Sequence, residues 1–344
     1  MKAIVNSESL TYLNKLLDVD KYQVNVQKEG IKLVATKEFK DTFYQVILTE
    51  NTFGNEEEGK LLIPKEAIKL LPKKEPCLVS DYYISTQNQK ISFNEDEEEF
   101  KELIEFNNPK ECKCIPNFDF LMECKYALEK DNVRPQLGSI CIDKNNFVAM
   151  DGYRMGIRSI EDIITENEIL IPEEVVNILK KIKGTSIATI QENKEFIKIC
   201  FGRITVVYKK SELKYVNWRA LINDVKKNIK VTLNSDDIKF VLSQYIKLYR
   251  GYGSIVIFNI NNKRSYIKSS KANEQNIKFE RYISAELEGE EIEFGINAQY
   301  LLDALKYHDS NCILYMSSPV TPIVLESKNK TDMILPIRLL REQI

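Results

Sequence analysis

Leu61 to Lys73 reads LLIPKEAIKLLPK, and Ile169 to Lys181 reads ILIPEEVVNILKK. Aligned on Ile63 and Ile171, Ala67, Ile68, Leu70 and Leu71 coincide with Val175, Val176, Ile178 and Leu179. That spacing is one stripe of an amphipathic helix. Pro64 and Pro172 stand at the entry, where a helix tolerates proline because its first amides have no acceptor within the helix. A third copy, NAQYLLDALKY, is anchored on Asn297 and puts Leu301, Leu302, Ala304 and Leu305 in the same places. A repeat at such separations constrains the chain to several copies of one domain.

A second helical pattern precedes each copy. SESLTYLNKLL begins near Ser7, NFDFLMECKYAL near Asn117 and NSDDIKFVLSQYI near Asn234. Each opens on Ser, Asn or Asp, whose side chains accept hydrogen bonds from the free amides of a first turn. The stretches between read as antiparallel strands. SICIDKNNFVAM is a hairpin around Lys144–Asn146, SIVIFNINNKRSYIKSS is another around Asn261–Lys263, and TSIATIQENKEFIKICFGRITVVYKK is a three-stranded meander. Boundaries fall near NNPKECKCIPN and NDVKKN. The expected fold class is α+β, three repeated domains of two helices on antiparallel sheets, over 1–113, 114–228 and 229–344.

At 344 residues the chain exceeds one ordinary core. Apolar residues at 43% and charged residues at 29% are a globular balance. No apolar run is long enough to span a membrane, and the first residues lack the apolar core of a signal peptide, so a cytoplasmic protein is expected. The 7 cysteines are odd in number and irregularly spaced, which argues against a disulfide framework. Cys112, Cys114 and Cys124 would need a distant fourth ligand such as Cys141 to hold zinc, and reduced thiols are the better reading. No metal or cofactor is called for. The net charge of −2 excludes a global basic field, so any contact with DNA must come from local segregation of charge.

Enzyme signatures fail on inspection. GNEEEGKL, Gly54 to Leu61, approaches a phosphate-binding loop, but Leu61 stands where magnesium needs a hydroxyl and three glutamates would repel phosphate. His308 is the only histidine, KYHDS offers it no partner pattern, and a surface position at a helix end is expected. NEDEEEFKE, Asn94 to Glu102, reads as a solvated charge run. MDGYRMGIRSI from Met150 is an Asp-Gly turn feeding a strand, and MILPIRL from Met333 is an apolar strand whose proline suggests an edge.

These pieces together resemble the bacterial sliding clamp family, the beta subunit of DNA polymerase III. AMDGYRMGIRSI is similar to that family's Ala-Thr-Asp-Gly-His-Arg-Leu-Ala-Val-Arg-Ser strand, VRPQLGSICI to the strand before it, NAQYLLDAL to its third-domain helix, and ILPIRL to its C-terminal Met-Pro-Met-Arg-Leu. The resemblance covers the whole chain and is weakest in the first domain, where only GKLLIPKEAIKLL carries it. Met150 and Tyr153 replace the family's Thr and His. VNWRAL stands for Pro-Asp-Tyr-Arg-Arg-Val, with Val216 for the proline, Ala220 for the second arginine and Leu221 for the valine. The chain is identified as a divergent member.

The resemblance implies a non-enzymatic processivity factor at the replication fork. It would be a head-to-tail homodimer whose helices line a hole around double-stranded DNA. Its partners would be the DNA polymerase III alpha subunit and other polymerases, the clamp loader and repair proteins, without any membrane. Their short peptides would enter a groove between the second and third domains. Carried over by motif, that groove takes Leu137, Met150, Gly152, Tyr153, Arg154, Met155, Val216 and Leu221. From the third domain it takes Asn297, Tyr300, Val320, Pro322, Met333, Ile334, Leu335, Pro336, Ile337, Arg338 and Leu339. Methionines and branched side chains suit a pocket that must accept several ligands. Lys65, Lys69 and Lys73, at helical spacing, with Lys125, Lys181 and Lys247, are the expected DNA-facing cations. Macrodipole compensation at helix ends also accounts for such lysines. The alternative is a clamp-like interaction scaffold that does not encircle DNA, and a nucleotide-dependent enzyme built on GNEEEGKL is a third reading.

Overall fold

The computed structural model describes residues 1–52, 56–94, 99–106, 113–131, 134–182, 186–249, 255–270 and 277–339. Its element order recurs three times. The first pass is β1 (Lys2–Asn6), α1 (Ser7–Leu16), β2 (Lys21–Gln27), β3 (Gly30–Phe39), β4 (Thr42–Glu50), β5 (Gly59–Pro64), α2 (Lys65–Lys69), β6 (Pro76–Ser80), β7 (Tyr83–Ser85) and β8 (Lys90–Ser92). The second is β9 (Lys113–Pro116), α3 (Asp119–Cys124), β10 (Ser139–Asp143), β11 (Asn146–Met150), β12 (Arg154–Ser159), β13 (Ile169–Pro172), α4 (Glu173–Leu179), β14 (Ile187–Glu192), β15 (Phe196–Phe201) and β16 (Ile204–Lys209). After α5 (Trp218–Asn223) comes the third: β17 (Ile229–Asn234), α6 (Ser235–Leu248), β18 (Ile255–Ile260), β19 (Tyr266–Ser269), β20 (Glu280–Tyr282), β21 (Ala285–Glu288), β22 (Ile292–Asn297), α7 (Ala298–Leu305), β23 (Asn311–Met316), β24 (Ile323–Ser327) and β25 (Lys330–Ile334).

The strand orders repeat as well. β5-β2-β3-β4, β13-β10-β11-β12 and β22-β18-β19-β20 are one arrangement, and β1-β6-β7-β8, β9-β14-β15-β16 and β17-β23-β24-β25 are the other. All neighbouring pairs run antiparallel. Two joints fuse these four-stranded pieces edge to edge: β4 pairs with β16, and β12 with β25. β21 is an addition on the outer side of β17. The chain forms two compact units, Met1–Asp119 with Glu174–Glu212 and Phe120–Glu173 with Leu213–Ile344. The first contains the β4–β16 joint and the second the β12–β25 joint.

Asparagine makes several of the strand-to-helix switches. Asn6, Asn234 and Asn297 each end a strand and cap the following helix. Asn234 Oδ1 accepts from the amides of Asp236 and Asp237, both at 3.0 Å. Pro64 and Pro172 likewise end strands, so they precede their helices rather than occupy the first helical position. The apolar stripes do reach the core: Ala67, Ile68 and Leu71 are buried, as are Val175, Val176, Ile178 and Leu179, and Leu301, Ala304 and Leu305. α2 is shorter than its stripe, since Leu70 closes it as C-cap and is itself exposed. The terminal strand also stops early, at Ile334, and Pro336 beyond it has no amide to extend the ladder.

His308 departs from expectation. It is buried at the β12–β25 joint, in the second unit, where a charged cluster crosses the seam. Arg158 on β12 donates from Nη1 to both Asp332 oxygens on β25, at 3.2 and 3.0 Å, and from Nε to Glu123 at 3.0 Å. Tyr126 donates its hydroxyl to Asp332 as well. His308 Nε2 lies 2.5 Å from Asp332 Oδ2, and its Nδ1 2.8 Å from Ser327 Oγ. The side chains of Arg158, Asp332 and His308 are all at 0% exposure. Burial alone would lower the Arg158 pKa, but Asp332 more than offsets it and holds the guanidinium above its usual range. Burial, reinforced by Asp332, pushes the Tyr126 hydroxyl well up. The partners of His308 lie on later strands, which is why the local string KYHDS carried no sign of them.

Removing one member of a buried charge pair strands the other in a low-dielectric site, at a cost of about 3–5 kcal/mol. Arg158→Met should therefore destabilise the protein by about 3 kcal/mol, because Asp332 keeps His308 and Tyr126 as partial compensation. Urea unfolding measures it. The Lys65–Asp18 ion pair on the water-facing side of α2 is screened by solvent. Lys65→Ala should leave the same curve almost unmoved.

Candidate functional site

The β12–β25 joint brings many of the expected groove residues together. Leu137, Met150, Met155 and Met333 belong to one buried apolar cluster with Val148, Val324, Tyr215 and Trp218, and Val216 packs against it. The register explains the grouping: Met155 lies opposite Met333, and Arg154 opposite Ile334. Alternation along β25 sends Met333 into this cluster and Ile334 into the separate core of the third repeat. Ile334 thus faces away from the methionines, on the side where Tyr300 packs.

Four other candidates are exposed. Tyr153 is 61% exposed, Val320 56%, and Leu221 and Leu335 38% each. The Leu335 amide donates to Tyr153 O at 2.8 Å, which ties the chain after β25 to the Asp-Gly turn. Farther on, the Ile337 amide donates to Gly295 O at 2.8 Å, and Leu339 packs where a side chain at Gly295 would otherwise sit. Thr321 Oγ1 accepts from the amides of Ser317 and Ser318, at 3.2 and 3.0 Å, and so shapes the turn carrying Val320 and Pro322. Pro322, Pro336, Ile337 and Leu339 are half-buried, and Arg338 is exposed.

The polar candidates hold the scaffold. Arg154 is nearly buried, with Nε on Asp151 at 2.9 Å, Nη1 on Asp303 at 3.0 Å and its guanidinium 4.2 Å from the Tyr300 ring centroid. Burial acts to lower its pKa, yet the two aspartates raise it overall. Asn297 caps α7. Gly152 has φ +89, and a Cβ there would come within 2.4 Å of the Arg134 guanidinium. Arg134 in turn donates to Asp151 O at 2.8 Å and pairs with Glu129 at 2.9 Å. Sequence reasoning missed Arg134, Asp303, Tyr215 and Trp218, which pack against or hydrogen-bond the candidate residues and their turn. Trp218 carried a signal in being the sole tryptophan, set between the asparagine cap of α5 and Arg219. Its indole donates to Asp143 at 3.0 Å, and Arg219 pairs with the same carboxylate.

The lysine candidates do not form one set. In the first unit Lys65 is bound to Asp18, and Lys181 Nζ lies 3.3 Å from the carbonyl of Leu16 at the end of α1. Lys69 and Lys73 are exposed, but α2 ends at Lys69, so the expected three-lysine helical face does not exist. In the second unit Lys247 is exposed in the last turn of α6, and Lys125 is half-buried in a 3₁₀ turn with contacts of its own. Gly54, Asn55 and Cys112 lie outside the described residues, as do parts of the acidic run and of the expected boundary near NNPKECKCIPN. Among the described residues no cluster of metal-ligating side chains occurs, and no helix is long and apolar enough to cross a membrane.

Residues 219–338 match the family model for the DNA polymerase III beta subunit, C-terminal domain. The chain is similar to the beta sliding clamp of Staphylococcus aureus, 23% identical over 237 residues, covering 63% of this chain and 61% of that one. It thus spans about three fifths of the length of the curated relatives it matches. Its fold is that of a solved DNA polymerase sliding clamp from Bacillus subtilis, with TM-score 0.82 and 17% identity over 99% of this chain and 100% of that one. A DNA polymerase III beta subunit structure from Pseudomonas aeruginosa superposes with TM-score 0.82 at 14% identity, over 98% and 100%.

Gly152→Ala should cost about 1–3 kcal/mol, because a side chain is strained at this φ and displaces Arg134. A thermal melt reads the loss. Adding Arg134→Ala to Gly152→Ala should recover little of it, since relieving the clash leaves the backbone strain.

Proposed function

We propose, from the premise that the chain is a divergent relative of the DNA polymerase III beta subunits, that it is a sliding clamp: a non-catalytic processivity factor that closes as a homodimer around duplex DNA. The observation that carries the reading is the joint repeated within the chain. The last strand of one arrangement pairs with the last strand of the next, as β4 with β16 and β12 with β25. By the same rule β20 is the next donor edge and β8 the acceptor edge, and both are outer strands of their four-stranded sheets. A joint between β20 of one copy and β8 of another, made twice, closes two chains into a ring of six repeats. The domain limits proposed are 1–113, 114–228 and 229–344, close to the points where β9 and β17 begin the second and third repeats. Lys90 on β8 and Glu280 on β20 provide opposite charges for such an edge.

In this reading Lys69, Lys73 and Lys247 are free to meet phosphates, which gives salt-sensitive contact without base recognition. The groove over Met155 and Met333 takes the extended tails of a polymerase, a clamp loader or repair proteins. Two apolar anchors, each worth about 1.5–3 kcal/mol when fully buried, together with main-chain hydrogen bonds and minus the cost of ordering the peptide, place the affinity at a Kd of about a micromolar.

The assembly test is solution mass over a dilution series: two chains per particle are expected at micromolar concentration. A single-chain mass would overturn the ring and leave the scaffold that does not encircle DNA. Once loaded on nicked circular duplex the protein should stay, and it should leave when the circle is linearised; equal retention on both excludes topological binding. For the groove, Val320→Asp and Leu335→Asp change exposed rim positions and should weaken binding of the polymerase tail peptide at least tenfold by calorimetry. Met155 is fully buried, so a charge there would report on folding instead. Wild-type affinity in both rim variants would show that the peptide binds elsewhere.

A further inference from the structure

The eight-stranded sheet of the first unit carries a groove of about 1270 Å³ that the clamp reading leaves unused. Part of its floor is a cross-strand row: Lys60 on β5, Asn25 on β2, Lys32 on β3 and Thr49 on β4. Lys32 and Lys60 flank Asn25 from either side, so two ammonium groups rise from one face within two strand spacings, roughly 10 Å. Neither has a carboxylate partner among the described residues, and the Lys60 amine sits 6.0 Å from the Phe100 ring. Lys198 adds a third cation along the groove, 5.4 Å from the Phe106 ring. Ile47 and Val207 also line it, but both are buried.

The same face already holds a main chain. Residues 99–106 cross it, and two buried glutamines grip their backbone: Gln23 Nε2 donates to Lys101 O and Gln45 Nε2 to Glu102 O, each at 3.1 Å. Beside that held segment lie lysines that have no carboxylate partner among the described residues. Glu102, Glu105 and Glu195 also line the groove and would repel a continuous phosphate chain. A peptide can put its carboxylates only where the lysines are. In an extended peptide, side chains on one side repeat at about 7 Å, which lets two carboxylates of one segment reach the two lysines.

We propose that this groove is a second docking site, for an extended acidic segment of a partner protein, with glutamate or aspartate on Lys32 and Lys60. It is separate from the groove over Met155 and does not depend on ring closure. The probe is a short end-labelled peptide alternating glutamate with leucine, followed by fluorescence anisotropy on the full chain. Binding should weaken with salt and fall about tenfold or more in the Lys32→Glu, Lys60→Glu double variant. That variant should melt at the same temperature as the intact protein. The polymerase tail peptide should not displace the probe. Absence of binding, undiminished binding by the double variant, displacement by the polymerase tail, or equal competition by single-stranded oligothymidylate would each overturn the assignment.

Discussion

Backbone pairing between strand edges that come from different repeats is the interaction on which the architecture rests. At the β4–β16 joint the ladder runs from Ile204 opposite Leu48 to Tyr208 opposite Tyr44, and at the β12–β25 joint from Arg154 opposite Ile334 to Arg158 opposite Lys330. Each joint turns two four-stranded sheets into a continuous one and removes two edges that would otherwise present unpaired amides and carbonyls. It also demands little of the side chains, since the hydrogen bonds belong to the main chain. That tolerance accounts for a fold retained at 17% identity to the Bacillus subtilis structure.

Side chains make the second joint particular. β25 is shared between two cores, with Met333 on one side and Ile334 on the other, so its position sets both the methionine cluster and the packing of the third repeat. The Arg158–Asp332 pair fixes its register, because a slip by one residue would put Asp332 into an apolar core without its cation. The apolar cluster around Met155 and Met333 thus shares its joint with a charged seam, and Arg154 beside it is held by two aspartates, one from the Asp-Gly turn and one from α7.

The periodic features were legible in the sequence. Three apolar stripes, the meander over 187–209 and the Asp-Gly hairpin need only local spacing, and each is where the pattern put it apart from Leu70. Long-range features were not. His308 read as a surface residue because Asp332 and Ser327 reach it only through sheet pairing. The three-lysine face failed because Leu70, apolar at a position the helix should bury, instead ends the helix. Among the groove residues, the motif gave the methionines that meet across β12 and β25. It could not separate Met333 from Ile334, whose opposite orientations depend on which strand β25 pairs with.

Trp218 gives the molecule an optical property. It is the only indole in the chain, nearly buried in the cluster with Met155 and Met333, hydrogen-bonded to Asp143 and stacked 4.3 Å from the Arg219 guanidinium. All tryptophan emission from the protein therefore originates in this cluster, from a ring whose surroundings are apolar on one side and ionic on the other. Its spectrum is a single-site readout of the packing at that joint, and needs neither a label nor a mutation.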